Sequence, residues 1–386
     1  MAERVLITGA RAAAALDLAR DFLAAGWEVH LADCRVSHMA RAWRLPLRHH
    51  LYPAPVTERA AFRESIAALV EGEGIDLVVP TCEEVFHLAA PALHQRLGER
   101  LFAPGLGTLR QLHDKLAFAR ACGEWGLPVP ESRPLASAED VAPFAAGASG
   151  WVFKPCFTRF GDAALVGPVP AALARIAPSP ATPWLAQRRI RGTEVCFYAV
   201  ARRGTLVAFS AYRSGWRLGG GASYAFEPLE ASEADRLRAI AARLAEAAGL
   251  HGQFACDVMI DAGGQPFLIE CNPRATSGVH LLTGSGALAR AIAGGERIAR
   301  QAGTPAYLGP AMAVYGLPQA LVEGRLRDWA RLLAHGHDAI SRTGDRRPLV
   351  GALRDAAGFF REGRRHSITT TAATTRDIAW NGEDLD

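Results

Sequence analysis

The chain has 386 residues, of which 49% are hydrophobic and 21% charged, with a formal net charge of +4. That length buries a sizeable core in two or three packed domains, the composition excludes wholesale disorder, and no apolar run reaches the roughly 18 to 20 residues of a membrane span. So small a charge, on arginines spread along the chain rather than clustered with aromatics, leaves no nucleic-acid footprint. Neither a nucleic-acid nor a membrane partner is expected.

The opening residues 1–7 enter a strand at once, without a basic and apolar leader, so export is not expected. Seven cysteines (34, 82, 122, 156, 196, 256 and 271) form an odd, scattered set without a Cys-x-x-Cys pair or zinc-finger spacing, which fits a reducing cytoplasm.

Residues 1–105 alternate apolar strands (5–9, 27–32 and 75–80) with helical stretches, a βαβ pattern and an open α/β domain. Asp33 ends the second strand where a ribose-binding acid would lie in a dinucleotide site. However, Gly9 is followed by Ala10, Arg11 and Ala12, so the glycine spacing that admits a pyrophosphate is missing. Residues 109–126 read as helical and carry Asp114 and Lys115. Strands are expected at 151–155, holding Lys154, and at 185–190, holding Gln187, Arg188, Arg189 and Ile190, followed by 194–198 and 205–212. The glycine run 219–221 interrupts the sheet between Arg217 and Ser223, and a helix spans about 232–248. Residues 301–386 carry helices near 320–335 and 348–362 and a Thr-rich segment at 369–375.

Of 43 basic residues only Lys115 and Lys154 are lysine. Where a bare positive charge suffices this chain uses arginine, so the two survivors suggest a need for a compact ammonium that fits between phosphate oxygens.

Residues 254–274 form the strongest constellation. Two strands, 254–260 and 265–272, flank Asp261-Ala262-Gly263-Gly264, a hairpin composition. With Ile260 opposite Gln265, alternation places Asp257, Glu270 and Asn272 on one face, Glu270 diagonal to Asp257 at roughly 7 to 8 Å. Cys256, Val258 and Ile260 then meet Phe267, Ile269 and Cys271 on a core face. Two acids and an amide are hard oxygen donors of the kind that Mg²⁺ takes alongside water and phosphate. His280, eight residues past Asn272, could meet substrate or act as a base, but reads more readily as a structural histidine.

These residues resemble the ATP-grasp ligases, in particular members like carbamoyl-phosphate synthetase and D-alanine:D-alanine ligase, over roughly residues 3–300. The resemblance implies α/β and α+β architecture. An N-terminal open α/β (pre-ATP-grasp) domain would span 1–105 and an ATP-grasp domain 106–300, with a small lid subdomain at about 130–195 and a C-terminal ATP-grasp subdomain; 301–386 would be an extension of unknown role. It implies ATP and Mg²⁺, two ions, with Mn²⁺ as an alternative. Lys115 and Lys154 would hold phosphates, the strand from Gln187 through Arg188 and Arg189 to Ile190 would line the adenine, and Glu194 would bind the ribose. Asp257, Glu270 and Asn272 would be the metal ligands. Arg274 is the candidate for stabilising an acyl phosphate or tetrahedral intermediate, and Arg213, Arg217 and Gly220 could hold an anionic substrate group. The implied activity joins a small-molecule carboxylate to an amine, on amino acids or related compounds. A kinase or carboxylase on the same scaffold, and a non-catalytic ATP-binding module, remain as alternatives, and a homodimer is the default assembly. One departure is the segment after Lys154, residues 157–162, which lacks the glycine- and serine-rich closing loop of many members.

Overall fold

The computed structural model describes residues 2–385 other than 160–162, 219, 220, 300, 302 and 343. Strands β1 (Arg4–Thr8), β2 (Glu28–Asp33), β3 (Leu47–Leu51) and β4 (Leu77–Val79) form a parallel sheet in the order β3-β2-β1-β4. Val5, Leu6 and Ile7 are wholly buried, as expected where helices cover both faces of a parallel sheet. β3 was not anticipated: its Arg48-His49-His50 centre hides a strand that survives because it lies at the sheet edge. Asp33 is not a free ribose acid. Its carboxylate accepts the Arg11 backbone N–H at 2.9 Å and pairs with the Arg11 guanidinium.

The helical stretch expected over 109–126 is two helices, Leu106–His113 and Lys115–Glu124. Asp114 divides them, since its carboxylate accepts the N–H groups of Leu116 at 2.9 Å and Ala117 at 3.1 Å and caps the second helix. A four-stranded sheet follows, built from β5 (Ser132–Leu135), β6 (Trp151–Pro155), β7 (Leu165–Val166) and β8 (Trp184–Arg188) in the order β5-β8-β6-β7. The largest sheet contains β9 (Gly192–Arg202), β10 (Thr205–Arg213), β11 (Ala225–Pro228), β12 (Gly252–Asp261), β13 (Pro266–Asn272), β14 (Ala306–Tyr307) and β15 (His337–Asp338), in the order β13-β12-β9-β10-β11-β14-β15.

Alternation along β9 assigns its two faces. Phe197, Ala199 and Ala201 join Phe254 and the helix Ala231–Ala247 through Leu237, Ile240 and Leu244. Tyr198 and Val200 face the other way, onto Phe22 and Leu18 of the helix Ala13–Ala24. The N-terminal α/β unit therefore packs on one face of the large sheet and the long helix on the other. The chain beyond residue 300 adds β14 and β15 to that sheet, then returns over the N-terminal unit through the helix Arg347–His366, where a Cβ at Gly351 would lie 2.3 Å from the His38 carbonyl oxygen. Among the described residues no helix is long and apolar enough to cross a membrane.

Asp17 ties three parts of this arrangement together. Its carboxylate accepts from His280 Nδ1 at 2.7 Å, Arg342 Nη2 at 2.7 Å and Arg20 Nη1 at 2.5 Å, so His280 is structural, as its sequence setting suggested. Burial alone would raise the Asp17 pKa, but the His280 hydrogen bond and the charges of His280, Arg342 and Arg20 hold it down to about 2, from an ordinary 3.8. A depressed folded pKa gives stability that is present above the unfolded value and lost as pH falls through the folded one. Asp17→Asn should therefore lower the unfolding free energy by about 3 kcal/mol at neutral pH, with the gap to wild type closing as the pH drops from near 4 toward about 2. Denaturant titrations across that range check it; a gap that does not change with pH would contradict the assignment.

Candidate active site

β12 and β13 pair as Ile260–Pro266, Met259–Phe267 and Val258–Leu268, then slip by one residue, so that Asp257 faces Glu270, Cys256 faces Cys271 and Ala255 faces Asn272. Two contacts displace the expected register, one within the loop and one from far along the chain. The loop closes with Asp261 N–H donating to Gln265 O and Gly264 N–H to Asp261 O, both at 3.0 Å, with Gly264 at φ +79°, a conformation that glycine adopts without strain. The Leu268 N–H then leaves the ladder and bonds Pro128 O at 2.8 Å, alongside a bulge. Glu270 thus stands directly opposite Asp257 rather than diagonal to it. Leu268 takes the core position beside Val258, and Ile269 lines a cavity together with Glu270.

That cavity, of about 670 Å³, is walled by Lys154 and Val166 of the small sheet, by residues 187–192, and by Glu194, Cys196, Tyr212, Arg217, Asp257, Met259, Asn272, Arg274, Thr276 and Ser277. Gly192 lets β9 start hard against the hairpin, since a Cβ there would sit 1.9 Å from the Ile260 carbonyl oxygen.

The two lysines converge on one oxygen. Lys115, first residue of its helix, donates from Nζ to Thr158 O at 2.8 Å and lies 3.6 Å from Glu270 Oε2. Lys154 Nζ donates to Ile269 O at 3.3 Å and lies 3.9 Å from the same Oε2. Lys154 lines the cavity, and Lys115 meets it through Glu270, which does. Burial pulls the Lys154 pKa down to about 8 against the opposing Glu270 charge. Partial burial works to raise Glu270, yet Lys115 and Lys154 hold it below the ordinary range; Asp257, half-buried and facing the Glu270 charge, is raised.

A divalent cation between Asp257 and Glu270 would relieve that repulsion. The donor set of Asp257, Glu270 and Asn272 fits Mg²⁺. A second grouping shares Asp257: among the described residues, ligand atoms of Glu194, Cys196 and Asp257 lie within 4.8 Å of one another, and the Cys196 thiol donates to Asp257 Oδ1 at 3.0 Å. A thiol is a soft ligand, so the all-oxygen corner suits Mg²⁺ better.

The remaining sequence candidates divide. Gln187 is buried and donates to Ser132 Oγ at 3.3 Å, and Arg188, Arg189 and Ile190 line the cavity; Arg188 also lies over the Trp151 ring at 4.6 Å. Glu194 and Arg217, assigned separate roles, form an ion pair at 2.6 Å. Arg213 is not brought to the site. As the last residue of β10 it points away from the cavity and pairs with Glu233 at 2.6 Å. Gly220 lies outside the described residues. Arg274 lines the cavity with its orientation set by three partners: Nε to Glu83 Oε1 at 2.7 Å, Nη2 to Asn272 Oδ1 at 3.2 Å and Nη1 to Ala275 O at 3.2 Å.

Residues 112–278 match the family model of the ATP-grasp domain. These residues form an ATP-grasp domain. Among solved structures, the fold is similar to that of L-amino acid ligase from Bacillus licheniformis (14% identity, 73% of this chain and 70% of that one, TM-score 0.55). It is similar also to biotin carboxylase from Campylobacter jejuni (16%, 78% and 72%, TM-score 0.60) and to N5-carboxyaminoimidazole ribonucleotide synthetase from Thermotoga maritima (16%, 78% and 79%, TM-score 0.59). At these identities the likeness is one of fold.

Around the ATP-grasp domain the structure adds residues that the sequence reading passed over. Glu83 is 1% exposed and bridges Arg274 and Arg159, each at 2.7 Å; burial would raise its pKa, but the two guanidinium groups hold it far below the carboxylate range. Its position in Thr81-Cys82-Glu83-Glu84, just past the carboxyl end of β4, was a usable signal, because open α/β sheets place functional side chains there. Cys196, Tyr212, Thr276 and Ser277 carried no such mark.

Proposed function

We propose that the protein is a Mg²⁺-dependent, ATP-using ligase that joins a small-molecule carboxylate, such as an amino acid, to an amine through an acyl phosphate. The observation that carries this reading is Glu270, held within 3.6 and 3.9 Å of the chain's only two lysines and set opposite Asp257 at the cavity wall. Mg²⁺ at Asp257, Glu270 and Asn272 would supply neutralisation of the charge on transferring phosphoryl oxygens. Lys154 and Lys115 hold phosphates in this reading, Gln187 to Ile190 offer backbone groups to the adenine edge, and Glu194 bonds the ribose, held ready by Arg217. Arg274, with its plane fixed by Glu83, Asn272 and Ala275, presents its remaining cavity-facing surface to the acyl oxygens. Arg217 marks the anion-holding side of the same cavity. Catalysis then rests on alignment and charge, without a protein nucleophile. Residues 1–105, 106–300 and 301–386 serve as front domain, ATP-grasp domain and extension. All seven cysteines are free thiols, which accords with a cytoplasmic setting.

The test is phosphate release from ATP and Mg²⁺ over a matrix of carboxylates and amines. The ligase reading expects release that depends strictly on both, with amide formed in equal amount. A stable phosphorylated product without amine would point to a kinase, bicarbonate dependence to a carboxylase, and ATP binding without any release to a non-catalytic module.

A further inference from the structure

The last residues of the chain lie under the segment that follows Lys154. Trp380 is fully buried, stacked on Phe86 of the N-terminal unit with ring centroids 4.8 Å apart, and meets Phe157 edge-on at 5.8 Å. Its indole N–H donates to Glu383 O at 2.7 Å, folding the tail into a compact turn. Upstream, Arg11 secures the tail by pairing with Asp377 and donating to Thr374 O at 2.9 Å. Arg159 reaches across from the other side: Nη1 donates to Asn381 Oδ1 at 3.0 Å, Nη2 to the Trp380 carbonyl oxygen, and Nε pairs with Glu83 at 2.7 Å. Gly382, at φ +94°, permits this closeness, since a Cβ there would lie 2.8 Å from the Phe157 ring.

Phe157 and Arg159 flank Thr158, whose carbonyl oxygen takes the Lys115 ammonium at 2.8 Å. The tail therefore grips both neighbours of the backbone group to which that ammonium donates. Each guanidinium nitrogen of Arg159 faces a protein partner, Nη1 and Nη2 by hydrogen bonds to the tail and Nε by its ion pair with Glu83, so this arginine braces the turn. We propose that the C-terminal tail is a positioning element of the nucleotide site, with Trp380 and Asn381 as positioning residues that set the 157–159 turn and, through Thr158, the Lys115 ammonium. This rests on the nucleotide reading above, and it gives residues of the extension a part in ATP binding although none of them lines the cavity.

The test uses the full chain with Asn381→Ala, Trp380→Ala and Trp380→Phe, each checked by thermal unfolding, and reads ATP affinity by calorimetry beside KM and kcat. Asn381→Ala removes one hydrogen bond from an exposed side chain and should weaken ATP binding roughly three- to tenfold while leaving kcat within about twofold. Trp380→Ala should weaken it by more than about tenfold, and Trp380→Phe, which keeps the ring contacts, should restore it to within about threefold. ATP affinity within about twofold of wild type for folded Asn381→Ala would overturn the proposal, as would losses in Trp380→Ala that the phenylalanine does not restore. Should Trp380→Ala fail to fold, the other two variants decide. Lys154→Ala in parallel separates the two readings: lost binding there with normal binding in the tail variants refutes the tail alone, and normal binding throughout refutes the nucleotide site.

Discussion

Arginine in place of Lys154 is expected to weaken ATP binding and raise its KM by at least about tenfold, although the charge is preserved. Lys154 is 4% exposed, with its ammonium fitted between Ile269 O and Glu270 Oε2 at 3.3 and 3.9 Å. A planar guanidinium is wider and carries its charge further from the backbone, so it must displace the Ile269–Glu270 bulge or project into the space assigned to phosphates. The ammonium is also finely placed electrically, with burial pulling its pKa to about 8, a setting that an arginine, always charged, does not reproduce. Steady-state kinetics with ATP varied, beside a thermal melt, checks the result; unchanged kinetics would remove the argument from lysine scarcity.

Glu270→Gln should have the larger effect on turnover, a fall of about a hundredfold or more in Mg²⁺-dependent kcat, without unfolding the protein. The amide keeps the shape of the side chain but removes the charge that opposes Asp257 and that both lysines neutralise. Stability should fall by only roughly 1–3 kcal/mol, because Lys115 keeps its bond to Thr158 O and Lys154 can release its proton. Full activity in this variant would count against the metal hairpin.

How much of this could be read from sequence depended on whether the deciding contact was local. The hairpin was visible because its turn residues and alternating strands announce themselves, and the lysines because arginine fills nearly every other basic position. The register was not, since the bulge sits where Leu268 N–H turns to Pro128 O, a partner 140 residues earlier in the chain whose position no pattern within the hairpin reveals. The same holds for the acids of the cavity. Glu194 and Arg217 each looked like an independent ligand group, but the chain beyond β10 brings Arg217 to Glu194 on β9 at 2.6 Å. Arg213 looked equivalent to Arg217, yet it ends its strand facing the helix Ala231–Ala247 and pairs there with Glu233. Asp114 shows the opposite case: its capping role was present in the local sequence and was obscured only by the continuous apolar pattern on either side. The C-terminal tail was least legible, because the burial of Trp380 among Phe86, His113 and Phe157 depends on contacts more than 220 residues distant in sequence.

The fold and the site chemistry bear differently on function. At 14 to 16% identity the fold is similar to that of an L-amino acid ligase, a biotin carboxylase and an N5-carboxyaminoimidazole ribonucleotide synthetase alike, so it does not choose among reactions. What this chain adds is one carboxylate between two lysines, a second carboxylate opposite it, and an arginine whose plane is locked at the cavity wall.

The most direct measurement of the central claim is calorimetric titration of ATP, with and without Mg²⁺, into wild-type, Lys154→Arg and Glu270→Gln proteins of matched thermal stability. One-to-one binding that Mg²⁺ strengthens is expected in the wild type, with at least about tenfold weaker binding for arginine at 154 and no Mg²⁺ enhancement for glutamine at 270. Equal affinity and equal Mg²⁺ response in all three proteins would contradict the claim.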